Sequence, residues 1–373
     1  VRVLPQPPRL RSKPATGSLG SVTATTYTIR VASALLGTGL TPIEDASVVV
    51  RDGRIADAGP SSTVASDGPE VEVAGATLIP GFIDAHVHIG FVSPRDVLWG
   101  GVTTVRDLAW PPDEIWPLVD RSTAADFEGP SIIAAGQMLT TPGGYPTRAA
   151  WAPPGTGYEV ASPLDAPKAV DRQLVQGASI VKIALNPPAG PTLGAAELSA
   201  IVTAAHDRGA RVTGHIHGLD ELLKALDAGV DELAHMLMSN EVIPDEVISR
   251  LVEQDVTIVP TLAVRVDDLS VAIENTARFL VAGGRIVYGT DLGNEGPKPG
   301  IDRREIDALH AAGMSLMDII RSATSSSAEY LKLERTGAIA PGRDADLVAT
   351  EPLAGAASLT TIRGVWRRGL RVR

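Results

Sequence analysis

The sequence predicts an α/β fold with a parallel sheet, because three features recur along the middle of the chain. Short apolar runs rich in β-branched residues alternate with segments of helical period, these runs are apolar throughout, and Gly or Pro often separates the units. Such strands are typical of a parallel sheet that is buried on both faces. Eight such units between residues 80 and 336 favour a (β/α)₈ (TIM) barrel.

Eight candidate strands follow one another along this region. They are IPGFIDAHVH (79–88), VTTVRDLA (102–109), PSIIAAGQMLT (130–140), ASIVKIAL (178–185), RVTGHIHG (211–218), DELAHMLM (231–238), VTIVPTLAV (256–264) and RIVYGTDLG (285–293). Helical period is clear after the fourth strand, where Leu198, Ile201, Val202 and Ala205 recur at helix spacing. Pro244 is expected in the first turn of another helix, and a third is expected to close at Gly283 or Gly284.

The two ends of the chain have a different pattern. Residues 22–79 and 337–373 contain short strands broken by Gly-rich turns, and neither piece is long enough to bury a face alone. We expect them to pair into one small composite β-sandwich. Residues 1–21 are Pro-rich, with four basic and no acidic side chains in the first 20, and are expected to form a flexible tail.

Composition excludes several classes of function. No apolar segment is long enough to cross a bilayer, so no membrane partner is expected. The formal net charge is −11 with no useful basic cluster after residue 20, which argues against nucleic acid. The chain has no cysteine, so any metal must be held by histidine, carboxylate or a modified lysine. A cytoplasmic protein is expected, with a removed presequence and a homo-oligomer left open.

Most of the histidines are predicted to meet at one rim. In a barrel of this kind the chemistry collects at the carboxyl ends of the strands. Side chains expected at that rim are His86, His88, Lys182, His215, His217, His235 and Asp291. His86 and His88 lie two residues apart on one strand face, as a chelating pair requires. The two other histidines, His206 and His310, fall in predicted helices and are expected to face solvent.

Lys182 is unusual because apolar residues surround it at the end of the fourth strand. A charged ammonium there would be desolvated and would repel a metal ion. Three alternatives remain: a neutral amine that forms a Schiff base, a side chain that reaches solvent, or a carbamate formed with carbon dioxide. The carbamate is favoured because it is anionic and can bridge two divalent ions.

The ordered motifs resemble the amidohydrolase superfamily of metal-dependent hydrolases. The matching stretches are PGFIDAHVHIG (80–90), GVTTVRD (101–107), GASIVKIAL (177–185), VTGHIHG (212–218), GVDELAH (229–235), YGTDLG (288–293) and GAIAPGRDADLV (337–348). The resemblance implies that His86, His88, Lys182 and Asp291 hold one metal ion. It also implies that carbamylated Lys182, His215 and His235 hold a second.

These ligands imply a binuclear hydrolase for an amide bond of the peptide or N-acyl amino acid type. Two divalent ions, with zinc favoured by the His and oxygen ligands, would share a bridging hydroxide. Asp291 would act as general acid and base. His217 is a candidate to stabilise the oxyanion. Alternatively, it would hold a metal ligand in position by contacting it from the side away from the metal.

The substrate is less constrained. The chain resembles the prolidase and Xaa-Arg dipeptidase branch, near imidazolonepropionase, but it has Tyr145 after Gly143 and Gly144 where those relatives often carry His. Tyr145, Arg148 and Trp151 lie in a long loop after the third strand, and Arg265 follows the seventh. All four are candidate contacts to a small aromatic or carboxylate-bearing substrate.

Other functions on this fold remain as alternatives. The same centre could hydrolyse a lactam, ester or carbamate. A deaminase usually needs a glutamate near the histidine of the fifth strand, and HIHGLD (215–220) offers none. A Schiff-base aldolase would use Lys182 without metal, whereas a non-enzymatic scaffold is disfavoured because every expected ligand is present.

Overall fold

The computed structural model describes residues 26–373. The tail expected at residues 1–21, and residues 22–25 of the expected terminal domain, lie outside the described residues. The strands are β1 (Thr26–Leu36), β2 (Thr41–Arg51), β3 (Arg54–Pro60), β4 (Glu70–Pro80), β5 (Phe82–Val87), β6 (Val102–Asp107), β7 (Ser131–Ala134), β8 (Met138–Thr140), β9 (Gly157–Glu159), β10 (Val181–Leu185), β11 (Val212–Ile216), β12 (Glu232–Leu233), β13 (Thr257–Ile258), β14 (Arg285–Ile286), β15 (Leu347–Thr350), β16 (Ile362–Arg367) and β17 (Leu370–Arg371).

The α-helices lie mainly between the strands of the middle region, as the pattern predicts. They are α1 (Pro94–Trp99), α2 (Pro112–Ser122), α3 (Ala166–Val175), α4 (Ala195–His206), α5 (Leu219–Ala228), α6 (Asp245–Glu253), α7 (Leu269–Val281), α8 (Arg303–Ala311), α9 (Leu316–Ser322), α10 (Ser325–Tyr330) and α11 (Ala356–Thr360). Pro244 is the residue immediately before α6 rather than part of its first turn. His206 and His310, near the ends of α4 and α8, are exposed as predicted.

Both ends of the chain contribute to one seven-stranded sheet, in the order β17-β16-β15-β4-β1-β2-β3. Strand β15 runs antiparallel to β4, with Val348 opposite Ile79. A separate apolar core forms on this sheet, in which Ile29, Leu78 and Trp366 have no exposed surface. The hydrogen bonds between β4 and β15 therefore hold together segments that lie more than 260 residues apart.

The middle region forms two parallel sheets, so the predicted α/β class is confirmed. One has the order β5-β6-β7, and the other has the order β14-β13-β12-β11-β10-β8-β9. Backbone hydrogen bonds continue between them: Ala85 N donates to Tyr288 O at 3.0 Å, and Ser179 N donates to Ala134 O at 2.8 Å. The residues that follow the parallel strands consequently meet on one side of the molecule.

The later strands are shorter than the apolar runs that predict them. Regular pairing in β12, β13 and β14 covers two residues each. Pro260 has no N–H to give to a ladder, and Thr261 and Asp291 adopt left-handed backbone angles, with φ of 48° and 57°. The chain therefore leaves the sheet early and turns polar side chains inward.

The long loop after β8 contains β9, which pairs in parallel with β8. Among residues 26–373, no helix combines the length and the apolar character that a membrane span needs.

Candidate metal centre

Three donors converge where β5 ends and where the chain turns after β14. His86 Nε2 and His88 Nε2 each lie 3.3 Å from Asp291 Oδ1. All three side chains are buried. Their donor atoms lie within 4.8 Å of one another, which is the arrangement that a shared ion requires.

The backbone holds this first cluster tightly. Asp291 N donates to His86 O at 2.8 Å, and His88 N donates to Leu292 O at 2.6 Å. Gly289 leaves room for this approach, since a Cβ there would lie 2.3 Å from Val259 Cγ1 and 3.0 Å from His86 N. The left-handed Asp291 is the kind of strained non-glycine residue that collects at functional sites.

A second pair of donors lies at the ends of β11 and β12. His215 Nδ1 is 2.9 Å from His235 Nε2. The His235 and His86 ring centroids are 4.7 Å apart, and His235 Nδ1 lies 3.9 Å from Asp291 Oδ2. The two clusters therefore border each other within one site.

In each of these histidines, the ring nitrogen that faces away from the donor cluster also has a polar partner. His86 Nδ1 faces Ala234 O at 2.7 Å, and His88 Nδ1 faces Ala109 O at 3.3 Å. A carbonyl can only accept a hydrogen bond, so each ring donates from Nδ1, and a ring that is neutral presents a bare Nε2 to the centre. His235 Nδ1 contacts Thr261 Oγ1 at 2.8 Å. His215 Nε2 contacts Asn186 Nδ2 at 3.1 Å.

Burial keeps most of these imidazoles neutral. It lowers the pKa of His86, His215 and His235 well below the usual range, and Lys182 adds to the effect at each. At His88, burial acts in the same direction, but the neighbouring Asp291 carboxylate outweighs it and raises the pKa. Neutral imidazoles are the form that binds metal ions.

Lys182 is buried within range of the charges of Asp291 and Glu232. Its Nζ is buried and has no hydrogen-bond partner among residues 26–373. Burial lowers the pKa of Lys182 to about 7, although the Asp291 and Glu232 carboxylates oppose the change. The lowered pKa increases the neutral fraction of the amine, and a neutral amine is the form that reacts with carbon dioxide.

The residues present fit a metal centre. Asp291 Oδ1 is buried and has no partner of hydrogen-bond geometry in the described part of the chain, although two imidazole nitrogens lie close to it. A buried carboxylate oxygen and a buried amine that both lack partners are costly unless something else satisfies them. Four imidazoles and a carboxylate form a donor set of the kind that holds divalent metal ions.

A cavity of about 570 Å³ opens above these groups. Tyr145, Arg148, Trp151 and His217 all line it. The Tyr145 ring stacks on His215 with centroids 4.9 Å apart and 24° between the planes. The Trp151 centroid lies 5.4 Å from that of His88. Three of the four predicted substrate contacts therefore lie around the donor clusters.

Arg265 is placed differently from the other predicted contacts. It is 6% exposed and is absent from the cavity lining. Its guanidinium donates to Met236 O and Leu237 O, each at 2.9 Å, and pairs with Asp268. These bonds tie the loop after β13 to the loop after β12, so Arg265 supports the segment that carries His235.

Several contributors are absent from the sequence-based set. Asn186 follows Lys182 by two strand periods, and that spacing was the signal that could have placed it on the same face. Thr261 had no sequence signal, because its position depends on the left-handed turn. Arg106 and Glu232 are charged residues inside apolar runs, and they form a buried pair at 2.7 Å.

Comparison with known proteins places the chain in a family. Residues 77–372 match the amidohydrolase family, so the chain belongs to it. The prediction of an amidohydrolase is thereby confirmed at the level of the family.

Individual relatives are more distant. An uncharacterized protein of Mycobacterium tuberculosis is 28% identical over 247 residues, which cover 61% of this chain and 60% of that protein. The match thus spans only about 60% of that relative's length. Imidazolonepropionase of Mycolicibacterium smegmatis is 43% identical over 53 residues, 14% of this chain and 13% of that enzyme. A solved Xaa-Pro dipeptidase with methionine bound in its active site is 23% identical, with a TM-score of 0.78 over 94% of this chain and 100% of that chain. That likeness shows a shared fold.

Proposed function

We propose that this protein is a binuclear metal-dependent hydrolase that cleaves the amide bond of a peptide or an N-acyl amino acid. The observation that carries the proposal is the buried Lys182, whose amine has no partner among residues 26–373 and whose charge acts on all four ligand histidines. An unmodified ammonium would oppose a metal there, whereas a carbamate would complete both donor sets.

The proposed ligands divide into two groups that share Lys182. His86, His88, Lys182 and Asp291 would hold one ion, and Lys182, His215 and His235 the other. In the carbamylation step the neutral Nζ forms an N–C bond with carbon dioxide, and the displaced amine proton leaves to solvent. When bound, two zinc ions would polarise the scissile carbonyl and lower the pKa of water at the site.

Asp291 is the group proposed to move the proton. Its carboxylate lies beside both clusters, with Oδ1 near His86 and His88 and Oδ2 3.9 Å from His235. It would accept the proton of the attacking water and deliver it to the leaving nitrogen. His217, which lines the cavity, is positioned to donate a hydrogen bond to the oxygen that gains charge.

The cavity wall favours an aromatic substrate that carries a carboxylate. Apart from the proposed ligands, the lining includes aromatic and aliphatic groups such as Trp151, Tyr145 and Val264. Within residues 26–373, Asp291 is the only acid that lines the cavity. Arg148 is exposed, lines the cavity and has no ion-pair partner within residues 26–373. We infer that Arg148 pairs the substrate carboxylate while Trp151 contacts an apolar side chain.

The architecture proposed with this function is the (β/α)₈ barrel with a small β-sandwich. The backbone bonds at Ala85 and Ser179 that join the two parallel sheets support closure of the barrel. The separate apolar core of the terminal sheet supports the sandwich. In this proposal, residues 22–79 and 337–373 form the second domain. The likeness to a solved Xaa-Pro dipeptidase is one of overall fold.

Metal content tests the proposal directly. Protein prepared with zinc and bicarbonate is analysed for metal per chain, and its intact mass is measured under non-denaturing conditions, beside Lys182→Met. We expect two ions and the added mass of one carbon dioxide in the unaltered protein, and neither in the variant. One ion with an unmodified lysine would contradict the binuclear centre. Dipeptides, N-acyl amino acids and lactams are then compared as substrates.

A further inference from the structure

Each proposed ligand histidine has an outer nitrogen, the ring nitrogen that faces away from the proposed metal ion. His215 differs from the other three histidines in the group that contacts this nitrogen. The outer nitrogens of His86 and His88 face backbone carbonyls, and that of His235 faces a hydroxyl. His215 Nε2 faces the side-chain amide of Asn186, with the amide nitrogen 3.1 Å away. An amide can present either a donor or an acceptor, so this contact can exist in two forms.

The contact is part of a row of close polar contacts. Asn186 Nδ2 lies 3.1 Å from His215 Nε2, His215 Nδ1 lies 2.9 Å from His235 Nε2, and His235 Nδ1 lies 2.8 Å from Thr261 Oγ1. His215 Nδ1 and His235 Nε2 are therefore the two nitrogens that face each other at the proposed second ion.

Metal binding selects one form of this contact. A ligand nitrogen must be deprotonated, so a neutral His215 that binds through Nδ1 carries its proton on Nε2. An Nε2–H cannot be held by an amide N–H, because both are donors. The oxygen of the Asn186 amide must then accept from Nε2–H.

We propose that Asn186 is a positioning residue that selects the metal-binding tautomer of His215, because its side-chain amide oxygen accepts a hydrogen bond from Nε2–H of that ring. This inference rests on the proposed binuclear centre, and it concerns the second ion, the one shared by His215 and His235.

The surroundings of Asn186 permit either orientation of the amide and hold the ring of His215 in place. Asn186 is half-buried and lines the cavity, so its amide is not locked in a packed core. His217 N donates to Leu185 O at 2.9 Å, which fixes the end of β10 beside the end of β11. Tyr145 stacks against the His215 ring. The His215 ring therefore has a fixed position against which the amide oxygen of Asn186 can accept.

Two variants of Asn186 distinguish its role as a hydrogen-bond acceptor from its role as a hydrogen-bond donor. Asn186→Leu keeps the size and removes both functions, whereas Asn186→Asp keeps only acceptors. Asn240→Leu, at an exposed asparagine, is the matched control for the same change of side chain. Zinc per chain and the zinc affinity of each site are measured by competition with a chelator, after circular dichroism has shown that the variants are folded.

The expected result is a loss of zinc affinity that is confined to the second ion. Asn186→Leu should weaken that ion roughly 10- to 100-fold, as loss of an outer partner of a ligand typically does, and leave the first ion unchanged. Asn186→Asp should bind both ions at least as tightly as the unaltered protein, and Asn240→Leu should not differ from it.

Three results would overturn the inference. Equal zinc affinity in Asn186→Leu and the unaltered protein would show that Asn186 does not position His215. Equal weakening in Asn186→Leu and Asn186→Asp would show that the amide acts as a donor. If the unaltered protein itself binds fewer than two ions, the proposed binuclear centre fails, and this inference fails with it.

Discussion

Arg106 Nη2 donates a hydrogen bond of 2.7 Å to Glu232 Oε1, and side-chain exposure of the two residues is 1% and 0%. Arg106 Nε also donates to Ala85 O at 2.8 Å. The pair therefore joins β6 and β12 to the residue before His86. It lies close enough for Glu232 to act on the charge of Lys182. This fully buried ion pair therefore helps to position the strands that carry the proposed metal ligands.

Removing one partner of this pair should be strongly destabilising. Arg106→Leu leaves the Glu232 carboxylate buried without its guanidinium partner, and we expect the free energy of unfolding to fall by about 3–5 kcal/mol. Urea denaturation of the metal-free protein measures it. The exposed pair Arg250–Asp227 at 2.7 Å provides the control, since Arg250→Leu should cost about 1 kcal/mol or less. Similar losses in both variants would contradict the role given to the buried pair.

Lys182 should make the stability of the metal-free protein depend on pH. Its pKa is about 7 in the fold and about 10.4 in an unfolded chain, so the unfolded state binds more protons between these values. The free energy of unfolding should therefore rise with pH across this window, by up to about 1.4 kcal/mol per pH unit.

Lys182→Met provides the reference for that measurement, because it removes the titrating group and keeps an apolar stem. The difference in unfolding free energy between the two proteins, in bicarbonate-free buffer, should change from pH 7 to pH 10 and be constant above the unfolded pKa. A difference that is flat across the window would show that Lys182 is not desolvated as the structure indicates.

Asp291→Asn should separate proton transfer from metal binding. The amide oxygen keeps a ligand atom in place of Oδ1 but cannot accept a proton, so we expect both ions to remain and kcat to fall roughly 10²- to 10⁴-fold. Elemental analysis and steady-state kinetics are run on the same preparation, with exposed Asp307→Asn as the control. Near-normal turnover would rule out Asp291 as the proton carrier.

Arg148→Ala should change substrate preference more than catalysis. If Arg148 pairs a substrate carboxylate, KM for carboxylate substrates should rise about 10-fold, in line with a charge-assisted hydrogen bond in a solvent-exposed position. The kcat value, and KM for the corresponding carboxamides, should stay the same. Arg303→Ala, outside the cavity, is the control. Equal effects on both substrate forms would place the carboxylate elsewhere.

Gly289→Ala should disturb the first donor cluster through its packing alone. The added Cβ would lie 2.3 Å from Val259 Cγ1 and 3.0 Å from His86 N. We expect a loss of roughly 1–3 kcal/mol of unfolding free energy, typical of overpacking, together with weaker binding of the ion at His86. Gly355→Ala meets no atom within 4 Å and should change neither thermal unfolding nor zinc content. An unchanged zinc affinity in Gly289→Ala would show that the cluster tolerates the shift.

The sequence by itself determined the α/β class and the polar side chains that follow the parallel strands, among them the candidate donors. Apolar runs alternating with helical period require a parallel sheet buried on both faces. Parallel strands bring their carboxyl ends together, so His86, His88, Lys182, His215, His235 and Asp291 could be grouped from spacing alone. The exposed His206 and His310 could be set aside for the same reason.

Only the tertiary structure decided how these groups face one another. The choice of Nδ1 or Nε2 depends on what lies behind each ring: a carbonyl behind His86, a hydroxyl behind His235, an amide behind His215. Arg265 turns away from the cavity because backbone carbonyls and Asp268 satisfy it. Spacing along a strand defines the face of a side chain. Its hydrogen-bond partners come from residues distant in sequence, and no local pattern records them.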